Sequence, residues 1–136
     1  MFSGGCSCGA IRYEAKGEPL FSVICYCRDC QQASGTGHVP IIGVAKDSFS
    51  VTGTTKGYTR AGGSGMPATR HFCPECGSLL FGIPEVAPTM VSIYVGSLDD
   101  LSVFQPKTAI FTRSRADWDK CAMPLKEFDT LPQRGG

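Results

Sequence analysis

The chain has 136 residues, a net charge of +1 and 42% hydrophobic residues. This length fits one domain, and the composition is ordinary for a globular protein. The near-neutral charge gives no electrostatic reason to expect a nucleic-acid or membrane-surface partner. No stretch approaches the ~20 apolar residues of a membrane span. With 17 glycines and nine prolines, we expect many turns and short strands rather than long helices.

Eight cysteines stand out in this composition. The first residues, Met1 to Gly5, have neither the basic region nor the apolar core of a signal peptide, so we expect a cytoplasmic protein. Disulfides are rare in that reducing compartment. Seven of the eight cysteines fall into C-x-C, C-x-C-x-x-C and C-x-x-C groups, which favours metal ligands over a disulfide framework.

The first half of the chain predicts short strands separated by turns. Strands are predicted at residues 11–14, 20–24, 39–44 and 49–52, with a weaker candidate at 58–60. The second of these runs directly into Cys25, and a helical turn is predicted at 29–34. Pro40 confines the third to a sheet edge or to a strand start.

The second half predicts a hairpin, a central strand and a short last strand, at residues 70–72 with 79–82, 90–96 and 110–112. Residues 118–128 are expected to be a loop or a single helical turn, with Trp118 in the core. The glycine-rich segment 61–67 is predicted to be either a lid over a site or an idle surface loop.

The fold expected from these elements is mainly β, with many short strands in one domain over residues 1–136. Edge strands make a homodimer as plausible as a monomer.

One group of cysteines predicts a closed zinc site. Cys73 and Cys76 form a C-x-x-C knuckle followed by Gly77, and Cys6 and Cys8 supply a second pair near the N-terminus. Four thiolates can hold a tetrahedral structural zinc with Zn–S distances of ~2.3 Å. The simpler alternative is four unrelated buried cysteines, which the paired spacing makes hard to sustain.

The second group, Cys25, Cys27 and Cys30, supplies three thiolates from one short loop. Three protein ligands and an open position are typical of a catalytic zinc, and a thiol guest would be deprotonated there. Two other interpretations stay open. A distant residue completes a second structural zinc, or the cluster holds no stable metal and is a set of reactive thiols. The candidates for the distant ligand are Cys121, His38 and His71.

The remaining polar and lone residues carry weaker signals. Cys121 is more typical of a semi-buried small hydrophobic residue, and the two histidines of turn and strand-end packing. Four arginines are candidates for holding substrate carboxylates, Arg60, Arg70, Arg113 and Arg115.

The order of these motifs resembles the glutathione-dependent formaldehyde-activating enzyme family, which includes relatives of centromere protein V. The resemblance covers nearly the whole chain. The segments that carry it are Gly5-Cys6-Ser7-Cys8-Gly9, Cys25-Tyr26-Cys27-Arg28-Asp29-Cys30-Gln31 with Ser34-Gly35, Phe72-Cys73-Pro74-Glu75-Cys76-Gly77-Ser78, Gly96-Ser97-Leu98-Asp99-Asp100, and the tail Ile110-Phe111-Thr112-Arg113-Ser114-Arg115 with Trp118 and Leu131-Pro132.

This resemblance implies several small antiparallel β-sheets around a structural zinc, similar to an accessory factor for Rab GTPases. It implies that Cys6, Cys8, Cys73 and Cys76 hold that zinc, and that the Cys25, Cys27 and Cys30 loop holds a second, catalytic one. The implied reaction adds glutathione to formaldehyde, as a carbon–sulfur lyase.

Two positions depart from the family pattern. Many members have histidine where this chain has Tyr26 and Ala109. Neither change removes a proposed ligand, but both can alter the residues that orient the ligands.

The sequence therefore favours a zinc enzyme that adds a thiol such as glutathione to formaldehyde or another small aldehyde. A different electrophile on the same architecture is a further interpretation. The contrasting hypothesis is a zinc-stapled binding module whose second cluster is structural or redox-active.

Overall fold

The computed structural model describes residues 1–132 and confirms the mainly β prediction. One α-helix, α1, spans Arg28–Ser34. The strands of the described residues are β1 Phe2–Gly5, β2 Arg12–Ala15, β3 Phe21–Cys25, β4 Val39–Ala45, β5 Phe49–Thr52, β6 Lys56–Ala61, β7 Pro67–Phe72, β8 Leu79–Pro84, β9 Met90–Tyr94, β10 Thr108–Ile110 and β11 Lys126–Glu127.

The strands form two sheets. A small antiparallel sheet has the order β1-β2-β5, and β1 was not predicted because its four residues include two glycines. A larger sheet has the order β11-β10-β3-β4-β9-β8-β7-β6. Of its two central strands, β4 is rich in valine and isoleucine because both of its faces are covered, whereas in β9 buried Val91 and Ile93 alternate with partly buried residues. The prediction of a central strand beginning at Met90 is confirmed.

Strand β4 shows how a proline enters the middle of a sheet. Pro40 is the second residue of the strand and pairs with Ile24 of β3, whereas pairing with β9 on the other side begins only at Ile41. Pro40, which has no N–H, therefore lies before the first residue of β4 that pairs with β9. Pro40 thus lies near the start of the strand, close to one of the two predicted options, and the strand lies inside the sheet.

Strand β10 has the same length as the strand predicted at 110–112, three residues, but it lies two residues earlier in the chain. It ends at Ile110 because Phe111 adopts left-handed backbone angles, φ 54° and ψ 39°, which no strand continues. A 3₁₀ turn follows at Thr112–Ser114. Strand β10 is also not the last, since β11 pairs parallel to it from within the segment predicted as a loop.

The buried apolar residues form three clusters, of which two contain most of the core. The larger core packs the small sheet against β4, β8 and β9, with Tyr13, Ile42 and Ile93 almost fully buried. The smaller core contains the three cysteines of the Cys25 loop with Val23 and Phe111. The prediction that Trp118 lies in the core is wrong, because 77% of its surface is exposed. Within residues 1–132 no helix is long and apolar enough to cross a membrane.

Candidate metal centres

The first cluster consists of Cys6, Cys8, Cys73 and Cys76, whose Sγ atoms all lie within 4.8 Å of one another. The Sγ atoms of Cys6 and Cys8 are 3.6 Å apart, and those of Cys8 and Cys73 are 3.7 Å apart. Four sulfurs placed tetrahedrally at ~2.3 Å from one ion are about 3.8 Å from each other. The spacing of these sulfurs therefore fits a zinc ion.

Two short turns present the sulfurs of the first cluster. The predicted hairpin is confirmed, since β7 and β8 pair antiparallel and the second cysteine pair lies in the turn between them. That turn closes through Gly77, which has φ +78° and donates its N–H to the Cys73 carbonyl. The facing turn is closed by Ile11, whose N–H donates to Cys6 Sγ at 3.2 Å.

Ser78 ties the two turns together. Its hydroxyl oxygen accepts from the Ser7 N–H at 2.9 Å and lies 3.2 Å from Cys76 Sγ. The hydrogen bond with this hydroxyl lowers the pKa of Cys76 to about 5, which favours the thiolate form that binds metal.

The second cluster consists of Cys25, Cys27 and Cys30, whose Sγ atoms also lie within 4.8 Å of one another. Strand β3 ends at Cys25, and helix α1 begins after Cys27, whose Sγ accepts from the Cys30 N–H at 3.3 Å. Among residues 1–132, no other Cys, His, Asp or Glu joins this group. Three soft sulfur donors fit a zinc ion that keeps one position for another ligand.

Burial is the main difference between the two clusters. Each cysteine of the second cluster is only 4% exposed, whereas Cys8 and Cys76 of the first are solvent-exposed. The adjacent Cys25 and Cys30 thiols stabilise a thiolate at Cys27 and lower its pKa, while the pKa values of Cys25 and Cys30 are raised. Three thiols this close cannot all ionise unless a cation offsets the charge.

A buried charge network supports the second cluster. The Asp29 carboxylate, on helix α1, forms an ion pair with Arg70 of β7, and its other oxygen lies 2.9 Å from Nε of Arg60 on β6. Arg70 also lies 3.6 Å from Cys30 Sγ and donates to the Tyr94 hydroxyl at 2.6 Å. A positive group thus touches one of the proposed ligands. No signal in the sequence marked Asp29 as its partner.

The glycine-rich segment lies against the second cluster. A Cβ placed on Gly63 would be 2.9 Å from the Cβ of Cys27 and 3.0 Å from the Cζ of Phe111. Only a residue without a side chain fits there. The segment was predicted to be either a lid over a site or an idle surface loop. Because its turn helps to cover Cys27, it is not an idle surface loop.

The three candidates for a distant fourth ligand lie elsewhere. Cys121 is exposed and belongs to neither cluster, so the expectation that it is semi-buried is wrong. Nδ1 of His38 lies 2.7 Å from the Asp119 carboxylate, and Nδ1 of His71 lies 2.9 Å from the Thr55 hydroxyl. His38 thus makes a hydrogen bond, as predicted for it, and His71 packs at the end of β7 with its ring stacked on Phe81 at 4.7 Å.

The two positions that depart from the family pattern share one small cluster. Tyr26 and Ala109 pack together with Ile24, and both are fully buried. The Tyr26 ring lies 5.4 Å from the His38 ring and 5.3 Å from the Arg115 guanidinium, measured to the ring centroid. Tyr26 lies between two proposed ligands in the chain, so this packing fixes the backbone that presents them.

The comparisons with known proteins agree with the sequence resemblance. The sequence profile described as glutathione-dependent formaldehyde-activating enzyme matches residues 1–114. A Halomonas elongata protein whose name marks it provisionally as such an enzyme is 27% identical over 124 residues, which cover 87% of this chain and 79% of that protein.

One solved structure supports the fold alone. It is the crystal structure of a Rhodobacter sphaeroides protein, with 20% identity and a TM-score of 0.56 over 71% of this chain and 87% of that one. Because the family profile matches most of the sequence, this chain belongs to the glutathione-dependent formaldehyde-activating enzyme family.

Proposed function

We propose that this protein adds a thiol, glutathione in the first instance, to formaldehyde or another small aldehyde. The observation that carries this proposal is the second cluster, where three sulfur donors converge and the described residues offer no fourth. Membership of the family supplies the substrate class. Under this proposal the reaction takes place in the cytoplasm, a reducing compartment in which cysteines stay available as metal ligands.

The proposed reaction is balanced without any further reactant. The thiol sulfur forms a bond to the aldehyde carbon as the C=O π bond breaks, and the thiol proton ends on the former carbonyl oxygen. The product is an S-hydroxyalkyl thioether, S-hydroxymethylglutathione when the substrates are glutathione and formaldehyde. Nothing is oxidised or reduced, so the enzyme needs to supply only a thiolate and a position for the aldehyde.

The residues divide into two sets under this proposal. Cys6, Cys8, Cys73 and Cys76 hold a structural zinc, and Cys25, Cys27 and Cys30 hold the second. Zinc at the second cluster supplies the positive charge that keeps a neighbouring thiol deprotonated at neutral pH.

Arg70 is the positioning residue of this site. Its contact with Cys30 Sγ opposes the negative charge of the thiolates, and Asp29 holds the guanidinium in place. Arrangements of this kind around metal ligands orient the ligands and tune the ion.

The test is the rate at which glutathione and formaldehyde interconvert with their adduct, since these reactants also combine without an enzyme. Exchange NMR with carbon-13 formaldehyde measures that rate with and without zinc-loaded protein. We expect a rate enhancement that Cys27→Ser abolishes and Cys121→Ser retains, because Cys121 is exposed and outside both clusters. Full enhancement in Cys27→Ser would contradict the proposal.

One observation favours a second candidate, a binding module stapled by zinc. The three cysteines of the second cluster are almost completely buried, as they would be in a purely structural site. This candidate predicts no enhancement by the wild-type protein at any concentration of glutathione. The same exchange experiment therefore separates the two functions.

A further inference from the structure

Four arginines of the sequence are candidates for binding a substrate carboxylate. Three of them already pair with carboxylates of the protein. Arg60 and Arg70 face Asp29, and Arg115 makes two hydrogen bonds with Glu127, at 2.9 and 3.2 Å. Arg113 is exposed, and its guanidinium has no hydrogen bond or ion pair with a side chain of residues 1–132. It is therefore the arginine of this group that is available to a ligand.

Arg113 lines a cleft of about 270 Å³. The other lining residues are Gly63, Ser64, Phe111, Thr130 and Leu131. Among residues 1–132 no carboxylate lines this cleft, and Arg113 is the charged residue of its lining.

Two residues of the cleft wall also touch the second cluster. Gly63 packs against the side chain of Cys27, and Phe111 belongs to the core that contains all three cysteines. Gly63 and Phe111 therefore lie between the cleft and the second cluster. At Gly63 only backbone separates the cleft from the Cys27 side chain.

The backbone around Arg113 is fixed in place. The left-handed conformation of Phe111 turns the chain out of β10, and its N–H donates to the Thr130 carbonyl at 3.1 Å. Thr112 donates its N–H to the Phe128 carbonyl at 3.1 Å. These bonds hold the backbone of Arg113 beside the cleft, so only the side chain itself has to be ordered when a ligand binds.

We propose that Arg113 binds a carboxylate of the thiol substrate and makes the enzyme selective for thiols that carry one. The inference rests on the proposed function and specifies its substrate class. A guanidinium recognises a carboxylate through charge-assisted, paired hydrogen bonds. A thiol anchored at Arg113 has its carboxylate in the cleft and its sulfur toward the wall formed by Gly63 and Phe111.

The kinetic test compares glutathione with its diethyl ester, in which both carboxylates are masked while the thiol is unchanged. We expect Arg113→Met to raise the KM for glutathione about tenfold, the order expected for one charge-assisted hydrogen bond. The KM for the diester should not change, and Arg113→Lys should recover part of the loss. Equal KM values of wild type and Arg113→Met for glutathione would overturn the inference.

Lys46→Met is the matched control, because it removes one positive charge from an exposed site. Lys46 follows the far end of β4, whose first residue pairs with Cys25. Six residues of strand place it about 20 Å from the second cluster. If Lys46→Met raises the KM for glutathione as much as Arg113→Met does, the effect is one of net charge and the inference is wrong.

A binding measurement separates this inference from the proposed function. S-methylglutathione keeps both carboxylates but has no thiol, so it can occupy the cleft without reacting. Calorimetry should show binding to the zinc-loaded wild type and about tenfold weaker binding to Arg113→Met. Such binding without any rate enhancement would refute the proposed reaction and uphold the carboxylate site. A rate enhancement together with equal binding of S-methylglutathione to wild type and Arg113→Met would uphold the proposed reaction and refute the carboxylate site.

Discussion

Arg70 and Asp29 form a buried ion pair that joins strand β7 to helix α1, beside the sulfur of Cys30. Both residues are less than 10% exposed, so neither charge is well solvated. Arg60 contacts the same carboxylate from β6. One aspartate thus anchors both arms of the β6–β7 hairpin, whose turn covers Cys27.

We expect Asp29→Asn to lower the free energy of unfolding by about 3 kcal/mol. The substitution leaves the Arg70 guanidinium buried without its opposite charge, and breaking one half of a buried pair has a cost of this order. Urea unfolding of the zinc-loaded protein measures the change. Asp99→Asn is the control, since the Arg12–Asp99 pair is about half exposed and should matter much less. Equal losses in the two variants would contradict the prediction.

The contact between Arg70 and Cys30 predicts an effect on metal retention. In Arg70→Met the thiolates of the second cluster lose a positive neighbour, so zinc at that cluster should be released more easily. We expect a loss of about tenfold in affinity, as is common for residues that support metal ligands. Competition with a chromogenic chelator measures it. Lys46→Met is the control, because it removes an exposed positive charge at the end of β4 that is far from Cys25, and it should retain wild-type affinity.

The two clusters predict two zinc ions per chain with different roles. Cys27→Ser should leave one tightly held ion and lower the thermal melting temperature less than loss of the first zinc does. Cys76→Ser alters an exposed cysteine of the first cluster, and it should lower the melting temperature because that zinc joins the N-terminus to the β7–β8 turn. Elemental analysis and circular dichroism are the measurements. A wild-type chain that holds one zinc under reducing conditions would refute the second site.

Gly63 predicts a steric effect at the second cluster. A methyl group there would have to displace the Cys27 or Phe111 side chain, because the nearest atoms are 2.9 and 3.0 Å away. We expect Gly63→Ala to lower both zinc retention at the second cluster and the glutathione-dependent rate several-fold. Gly62→Ala is the neighbouring control, since its Cβ would meet only ordinary contacts at 3.6 Å. The prediction fails if the two variants behave alike.

The sequence predicted the parts of the molecule that local spacing decides. The spacing of the cysteines predicted which of them come together in each cluster, and the apolar run beginning at Met90 predicted the central strand. The hairpin at Cys73 and Cys76 followed from the strands on either side of it.

What the sequence did not predict depends on contacts between distant segments. Asp29 and Arg70 form an ion pair although 40 residues separate them in the chain, and the sequence around neither residue indicates this partner. The end of β10 depends on Phe111, whose left-handed conformation is held by the Thr130 carbonyl rather than by a glycine. Trp118 looked like a core residue by its type, but the core is already filled by strand residues.

The cysteines of the first cluster lie on both sides of the second cluster along the chain. During synthesis, Cys25, Cys27 and Cys30 are complete while Cys73 and Cys76 have not yet been made. A nascent chain therefore contains five thiols before the four cysteines of the first cluster can come together. If both clusters bind zinc as proposed, the three-thiol group is complete first, and the first cluster can join the N-terminus to the β7–β8 turn only after Cys76 has been made.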